Sequence, residues 1–365
     1  MYIWENDHWP KLTWDTEKLL ALVARAAHEQ GRLLGKMDGL GFDQRDEAQL
    51  HALTDEIMKS SEIEGEDLPQ KQVRSSIARK LGMKHIDDLV PSSRDVDGIV
   101  EMMTNATTKF DEPLTEHRLF NWHTQLFPSG RSGMTHIATG RYREKPIQVV
   151  SGPIGRERVH YEAPPASHLK QEMKKFLAWF DAPGKIDPLL VAGQAHFWFV
   201  TIHPFDDGNG RIARAIADMA LARAEKSPRR YYSMSKQILS ERNEYYKMLE
   251  QSQKSDCDIT AWQDWFLNCL RRALQTADST VDTVLQKARF WQRFAAESLS
   301  DRQIKVLNKL LDGFEGKLTT TKWAKLTKCS QDTALRDIKD LIERNALRQE
   351  QGGGRSTSYA LVLDE

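Results

Sequence analysis

Cysteine is scarce in this 365-residue chain, which contains only Cys257, Cys269 and Cys329. Three scattered cysteines are too few for a disulfide framework or a four-thiolate zinc site, so the sequence predicts a protein of a reducing compartment, the cytoplasm. An excess of charge is also missing, because 52 Lys and Arg residues balance 52 Asp and Glu residues. No overall field therefore draws the protein onto nucleic acid or anionic lipid, and a basic patch would have to be local.

Long apolar runs are missing as well. The most apolar stretch, residues 188–202, is interrupted by Gln194 and His196, and the first residues lack a basic start followed by an apolar run. The sequence therefore predicts neither a signal peptide nor a membrane span. Because 365 residues exceed what one core usually serves and 40% of them are hydrophobic, we expect two or three folded domains.

Apolar residues at helical spacing dominate the chain and predict a mainly α fold. Residues 15–35, 45–62 and 185–200 have this pattern, and the third segment is apolar on nearly every side, which is typical of a central buried helix. Residues 140–165 differ, because short apolar runs bounded by Gly and Pro predict a β-hairpin there.

The chain from about residue 298 onward has a different pattern. It predicts three helices followed by a hairpin around a Gly-Gly-Gly tip, which together are typical of a winged helix. The helices are expected at 299–311, 320–327 and 330–344, and the hairpin at 348–363. The predicted domains are a helical N-terminal region at 1–95, a central helical core at 96–285, and a linker helix with the winged helix at 286–365.

The string HPFDDGNGRIAR carries the clearest chemistry in the sequence. Gly208, Asn209 and Gly210 stand where a loop becomes a helix, so unpaired backbone N–H groups and the positive end of the helix dipole would meet an anion there. Arg211 and Arg214 are three residues apart in the first helical turns and would face the same anion, with guanidinium geometry suited to phosphate. The string therefore predicts a polyphosphate site.

His203 and Asp207, which precede the glycines, supply the base and the metal ligand that catalysis would need. Asp207 is the natural ligand for a magnesium ion that bridges phosphates, since Mg²⁺ usually takes one or two carboxylates plus substrate oxygens, and Asp206 is the weaker alternative. His203 could take a proton from a hydroxyl that attacks phosphorus. Base, metal ligand and anion site together indicate phosphoryl or nucleotidyl transfer.

Other phosphate and metal motifs do not fit. GNGRIA matches the dinucleotide pattern G-x-G-x-x-A, but that pattern needs a preceding strand, whereas a helical segment precedes it here. The sequence also lacks a G-x-x-x-x-G-K-S/T string, an H-E-x-x-H string and paired C-x-x-C strings, the marks of P-loop NTPases and zinc hydrolases. Each histidine or arginine alone would more often be a core or surface residue, so the prediction depends on their combination.

The twelve residues from His203 to Arg214 resemble the signature of the Fic family, H-x-F-x-D/E-G-N-G-R-x-x-R, with every specified position present. The resemblance implies a helical enzyme that transfers AMP from ATP to a Ser, Thr or Tyr hydroxyl of a target protein and releases pyrophosphate. Relatives that transfer other groups commonly replace the glycine or asparagine of the loop, and this chain keeps both. The implied roles are His203 as base, Asp207 as Mg²⁺ ligand, Gly208, Asn209 and Gly210 as anion hole, and Arg211 and Arg214 as ligands of the β- and γ-phosphates.

Two further regions resemble parts of the Fic family. The hairpin at 140–161 resembles the flap, which holds the target in extended form by strand addition. Tyr245 and Tyr246 resemble the region that borders the adenine, although an aromatic pair on a helix equally often lies in a core. The resemblance also leaves open self-AMPylation and removal of AMP from a target.

Ser60 and Glu64 are four residues apart on the helix predicted to end at Gly65, so they share a helix face. A glutamate in the last turn is unfavourable for the helix dipole, so a cation such as an arginine would compensate it. The string SSEIEG resembles the family's inhibitory motif S/T-x-x-x-E-G/N, which implies that Glu64 pairs with Arg214. Because an occupied Arg214 cannot orient the γ-phosphate, we expect a weakly active resting enzyme.

The partner of the predicted winged helix is open. Between residues 298 and 365, 12 Lys and Arg exceed 10 Asp and Glu by only two, which is modest for a DNA-binding module. Protein docking or homodimerisation is the equal alternative to DNA. A nucleotide-sensing, DNA-binding regulator is thus the second candidate function, but a sensor has no use for His203, which favours the enzyme. The candidate DNA contacts are Ser330, Gln331, Thr333, Arg336 and Arg355.

Overall fold

The computed structural model describes residues 1–83, 89–153, 156–295, 297–311, 314, 316–350 and 357–363. Helices dominate these residues, and the short strands form antiparallel hairpins, so the mainly α fold predicted from the sequence is confirmed. The helices are α1 (Thr16–Asp38), α2 (Phe42–Ile63), α3 (Gln70–Lys80), α4 (Arg94–Thr108), α5 (Glu116–Leu126), α6 (Leu169–Asp181), α7 (Pro188–Ile202), α8 (Asn209–Glu225), α9 (Met234–Ser240), α10 (Arg242–Ser252), α11 (Thr260–Arg293), α12 (Asp301–Leu311), α13 (Thr320–Thr327) and α14 (Gln331–Glu343). The strands are β1 (Arg131–Ser132), β2 (Thr135–His136), β3 (Gln148–Ser151), β4 (Arg158–Glu162), β5 (Leu347–Gln349) and β6 (Tyr359–Leu361).

The chain divides into two compact units, Met1–Ala277 and Asp278–Glu365. The first unit contains residues on both sides of position 95, and the domain boundaries drawn from the sequence stay predictions. Within the described residues, no helix is both long and apolar enough to cross a membrane.

The core of the first unit forms around α7 and α8, which pack along each other. Asp187 caps the start of α7 by accepting a hydrogen bond from the Leu189 N–H, and Pro188 suits the first helical position because its ring fixes a helical φ. Side chains from Leu189 to Ile202 are all buried, since α7 is apolar on every side. The loop that joins α7 to α8 is therefore held at both ends by buried helices.

The hairpin predicted near residues 140–165 is present as β3 and β4. Gln148 pairs with Glu162 and Ser151 with Arg158, with a bulge between Val149 and Val150. We call residues 148–162 the flap. The hairpin of β1 and β2 was not predicted, because two-residue strands are too short to show alternation in the sequence.

The second unit contains α12, α13, α14 and the β5–β6 hairpin, at positions close to those expected from the sequence. Its core includes Leu307, Trp323, Ile338 and Leu341. The glycine-rich tip and Arg355 lie outside the described residues. The assignment of this unit as a winged helix stays a prediction.

Candidate active site

His203 is the first residue after α7 and has a left-handed backbone, with φ of 51° and ψ of 58°. Its Nδ1 lies 3.1 Å from the Val200 carbonyl oxygen, so the ring donates from Nδ1 and keeps a free lone pair on Nε2. Burial lowers the pKa of His203 to about 4. At neutral pH the imidazole is therefore uncharged, which is the form that accepts a proton.

Gly208 and Asn209 fix the shape of the loop after His203. Gly208 has a φ of 80°, and a Cβ there would lie 2.7 Å from Leu126 Cδ2 and 2.8 Å from a carbon of the Phe127 ring. The Asn209 side chain accepts from the Phe205 N–H at 2.9 Å and donates to the Phe205 carbonyl at 2.8 Å. The Asn209 side chain thus stabilises the loop, and the first backbone N–H groups of α8 remain as anion donors.

Two hydrogen bonds hold the Asp207 carboxylate in place, and the sequence did not predict them. One carboxylate oxygen accepts from the Gly208 N–H and the other accepts from the Ser132 hydroxyl in β1. Each oxygen keeps a further lone pair, so the carboxylate fits a single protein contact to Mg²⁺, with phosphate oxygens as the other ligands. Among the described residues, no group of three or more His, Cys, Asp or Glu could hold a metal by itself.

Arg214 is buried and bound to the end of α2. Its Nε donates to the Ser60 hydroxyl at 2.8 Å, and its Nη2 donates to the Ser60 carbonyl at 2.8 Å and to Glu64 Oε1 at 2.7 Å. Although burial alone would lower it, the Glu64 carboxylate holds the pKa of Arg214 above its ordinary value. The structure therefore brings Ser60, Glu64 and Arg214 together, as the resemblance implied.

A second carboxylate from the same segment reaches the other arginine. Gly65, with φ of 83°, reverses the chain after α2, and the N–H groups of Gly65 and Glu66 bond back to the Glu62 and Ser61 carbonyls. This turn carries the Glu66 carboxylate onto Arg211 Nη1. Burial raises the pKa of Glu66, and Arg211 opposes that rise. Glu66 was missed in the sequence because it stands among Glu62, Glu64 and Asp67 as one acid of several.

The Glu64 carboxylate lies against Gly210, one of the residues predicted to form the anion hole. A Cβ built on Gly210 would lie 2.2 Å from Glu64 Oε1 and 3.2 Å from Arg214 Nη1. Within the described residues, the buried Nη1 of Arg214 and Nε of Arg211 have no hydrogen-bond partner. The start of α8 thus presents a carboxylate where a phosphate would bind, together with unused guanidinium donors for a larger anion.

The two tyrosines near the site have different surroundings. Tyr245 is buried, and its hydroxyl lies 2.9 Å from His196 Nε2. Tyr246 exposes more than a third of its surface and its hydroxyl donates to the Ile63 carbonyl at 3.4 Å, at the end of α2. Tyr245 is therefore a core residue, and of the two only Tyr246 presents an exposed ring.

The candidate DNA contacts lie at the start of α14. Ser330 caps this helix by accepting from the Thr333 N–H at 3.2 Å, and the two hydroxyls are 2.9 Å apart. Gln331 and Arg336 are exposed. Ser330 and Thr333 thus cap a helix, whereas Gln331 and Arg336 stay accessible to a ligand.

The comparison with protein families covers this site. Residues 113–221 match the Fic/DOC family, and residues 2–83 match a domain of unknown function (DUF4172). The first match includes α7, the loop from His203 and the start of α8. The chain contains a Fic domain.

Two curated proteins are similar to parts of the chain. A uridine 5'-monophosphate transferase of Xanthomonas campestris pv. campestris is 36% identical over 121 residues, which are 30% of this chain and 21% of that protein. A protein adenylyltransferase Fic of Nematostella vectensis is 26% identical over 207 residues, which are 55% of this chain and 43% of that protein. The chain thus spans less than half the length of these relatives.

Solved structures that resemble the chain also contain Fic domains. A Fic family protein from Desulfovibrio desulfuricans G20 has a TM-score of 0.58 at 22% identity, and the likeness covers 97% of this chain and 98% of that one. A Fic domain containing signaling protein from Bacteroides thetaiotaomicron VPI-5482 has a TM-score of 0.51 at 19% identity, over 70% of this chain and 97% of that one. At these identities the likeness shows a shared fold.

Proposed function

We propose that this protein transfers AMP from ATP to a hydroxyl side chain of a target protein and releases pyrophosphate. The observation that carries the proposal is the placement of an uncharged His203, a lone carboxylate at Asp207 and two buried arginines around the start of α8. Relatives named protein adenylyltransferase, such as that of Nematostella vectensis, support the same activity. The proposed site binds ATP and Mg²⁺ and acts on a Ser, Thr or Tyr.

Each group has one task in the proposed reaction. His203 Nε2 takes the proton of the acceptor hydroxyl, whose oxygen forms a bond to the α-phosphorus while the bond from that phosphorus to pyrophosphate breaks. The N–H groups at the start of α8, with Arg211 and Arg214, bind the β- and γ-phosphates. Asp207 would hold Mg²⁺, which neutralises phosphate charge when bound.

The resting protein is proposed to be autoinhibited by the end of α2. Glu64 occupies Arg214 and lies against Gly210, so the γ-phosphate loses its ligand and part of its space. Hundredfold repression needs about 2.7 kcal/mol, which one partly buried, charge-assisted pair can supply at roughly 1.5 to 3 kcal/mol. Glu66 on Arg211 adds a second, more exposed obstruction.

Two alternatives concern the nucleotide and the class of function. The Xanthomonas relative is named for transfer of uridine monophosphate, so UTP is a competing donor. A nucleotide-sensing, DNA-binding regulator would need both arginines but not a base. The free lone pair on His203 Nε2 favours the enzyme over the sensor.

The test follows label from the α-phosphate into protein. The wild type, Glu64→Gly and Glu64→Gly/His203→Ala are each incubated with Mg²⁺ and labelled ATP or UTP, alone and with a cell lysate. The mass of the intact protein is then measured to detect the transferred group. We expect the Glu64→Gly protein to label about a hundredfold faster than the wild type and the double variant not at all.

A matched control comes from the same helix end. The Glu62 side chain is partly exposed and pairs with Lys59 at 2.6 Å, so Glu62→Gly removes a charge of the same kind without touching either arginine. Equal labelling by the wild type and Glu64→Gly would refute autoinhibition. Labelling by none of the proteins, with ATP still bound, would refute the transferase and favour the sensor.

A further inference from the structure

Arg143 is a buried cation that the proposed reaction has not used. It follows β2 and precedes β3 in the chain, is only 2% exposed, and directs its guanidinium at three backbone carbonyls. Nε donates to the His203 carbonyl at 2.8 Å, Nη1 to the Lys145 carbonyl at 2.8 Å, and Nη2 to the Pro164 carbonyl at 2.6 Å. One acceptor belongs to the loop between α7 and α8, and the other two lie just before and just after the flap.

Arg143 also bonds to the loop between α7 and α8 through its backbone. The backbone N–H of Arg143 donates to the Pro204 carbonyl at 2.9 Å, so the carbonyls of both His203 and the residue after it are bound by Arg143. Lys145 comes before β3 and Pro164 comes after β4, so the guanidinium also holds together the two segments that lead into and out of the flap. One side chain therefore joins the flap to the backbone of the proposed base.

This arrangement matters because the backbone of His203 is left-handed. A residue with a Cβ avoids that conformation unless its surroundings hold it, and a small rotation there would swing the imidazole away from a bound nucleotide. Burying a guanidinium against carbonyls is costly, and the cost is offset here by three directed hydrogen bonds and by the charge of the nearby Asp206. Lysine, with a single ammonium, could not reach the three carbonyls in their different directions.

We propose that Arg143 is a positioning residue that couples the flap to the imidazole of His203. A protein strand that docks on the flap shifts or stiffens its base, and Arg143 carries that change to the His203 carbonyl. Tyr161 in β4 provides a second tie, since its hydroxyl donates to the Thr201 carbonyl at 2.6 Å. The inference rests on the proposed transferase, because it concerns the position of that enzyme's base.

The test is made in full-length Glu64→Gly protein, with lysate proteins as acceptors and α-labelled ATP as donor. Arg143→Lys and Arg143→Met are compared with Arg141→Met, a control at an exposed neighbour that pairs only with Glu144 in the described contacts. We expect Arg143→Lys and Arg143→Met to lower the maximal labelling rate by about 30- to 100-fold, with the half-saturating ATP concentration changed less than about twofold. Arg141→Met should match the parent in both.

Two further readouts separate positioning from simple stability. In Arg143→Met the acid limb of the rate profile should move to higher pH, because the positive charge that opposes protonation of His203 is gone. Tyr161→Phe, which removes one hydroxyl, should lower the maximal rate by about threefold. If the Arg143 variants do not fold, an unchanged rate in Tyr161→Phe would contradict the coupling of the flap to His203.

The outcomes distinguish this inference from the function on which it rests. A folded Arg143→Lys protein that labels within twofold of its parent would overturn the positioning role. So would an Arg143 variant whose rate and half-saturating ATP concentration change together, since that is the mark of general damage to the site. If Glu64→Gly itself transfers no label, the proposed transferase fails and the coupling is refuted with it.

Discussion

The two arginines at the start of α8 and the candidate DNA contacts on α14 are polar residues in different surroundings. Arg211 and Arg214 are 3% and 2% exposed, and each donates to a carboxylate from the end of α2. Gln331 and Arg336 are exposed, so water can solvate them whether or not a ligand binds. Burial makes a charged side chain depend on a specific partner, because an unpaired buried charge costs several kcal/mol. Function can therefore be argued from contacts in the first unit and only from pattern in the second.

The largest expected effect tests the contrast in buried histidines, which lie in the first unit only. All 11 histidines of the chain precede residue 278. Burial lowers the pKa of His123 and His203 to about 4 and that of His196 to about 3. Below an unfolded pKa of about 6.5, the unfolded chain takes up protons that the folded unit excludes, so stability falls as the pH drops toward 4.

Three such histidines give a slope of about 4 kcal/mol per pH unit near pH 5, and the free energy of unfolding falls with falling pH. Asp218 acts in the opposite sense, since burial raises its pKa to about 8. It reduces the slope to about 2.5 kcal/mol per pH unit. Urea unfolding at pH 7, 6 and 5, read by pulsed hydrogen exchange at one labelling pH, would measure this slope for each unit.

Two variants serve as controls for the acid slope. His123→Gln should remove about 1.4 kcal/mol per pH unit from it, whereas His8→Gln, at an exposed position, should leave it unchanged. The second unit has no histidine and should show no such slope. Equal acid sensitivity in the two units would contradict the comparison.

A smaller effect tests whether the more exposed of the two carboxylates proposed to be inhibitory represses the activity less. The Glu66 side chain is 42% exposed, against 31% for the Glu64 side chain, and the pair of Glu66 with Arg211 is better screened by water. Glu66→Gln should raise labelling about fivefold, equivalent to about 1 kcal/mol, which is far less than Glu64→Gly. Glu62→Gln is the matched control and should leave the rate unchanged. A rise as large as that of Glu64→Gly would mean that the two carboxylates repress equally.

The smallest effect concerns the second unit. If α14 contacts DNA, Arg336→Ala should reduce the slope of log K against log salt by about 1 for a random-sequence duplex. Arg344→Ala is the control, because Asp340 and Glu297 already neutralise that arginine at 2.9 and 2.5 Å. Fluorescence anisotropy with the full chain at several salt concentrations measures both. No binding at low salt would favour protein docking or dimerisation for this unit.

The sequence predicted those parts of the fold whose signals are local. Asp15, Asp187 and Ser330 cap helices near the expected starts, and the apolar surface of α7 marked it as buried. Tyr245 was ambiguous, because an aromatic residue on a helix has the same pattern in a core and beside a ligand. The β1–β2 hairpin gave no signal, and its Ser132 was therefore missed as the partner of Asp207.

The sequence by itself predicted the chemistry of the loop, since five residues lie within one twelve-residue stretch and the spacing of the two arginines follows helix geometry: His203, Asp207, Gly208, Arg211 and Arg214. Tertiary structure alone decided which groups those residues meet. The partners of Asp207, Arg211 and the His203 carbonyl are 75, 145 and 60 residues away. Periodicity reports only neighbours within a turn or two of helix, whereas pairing over such separations depends on how helices pack and where a glycine such as Gly65 reverses the chain.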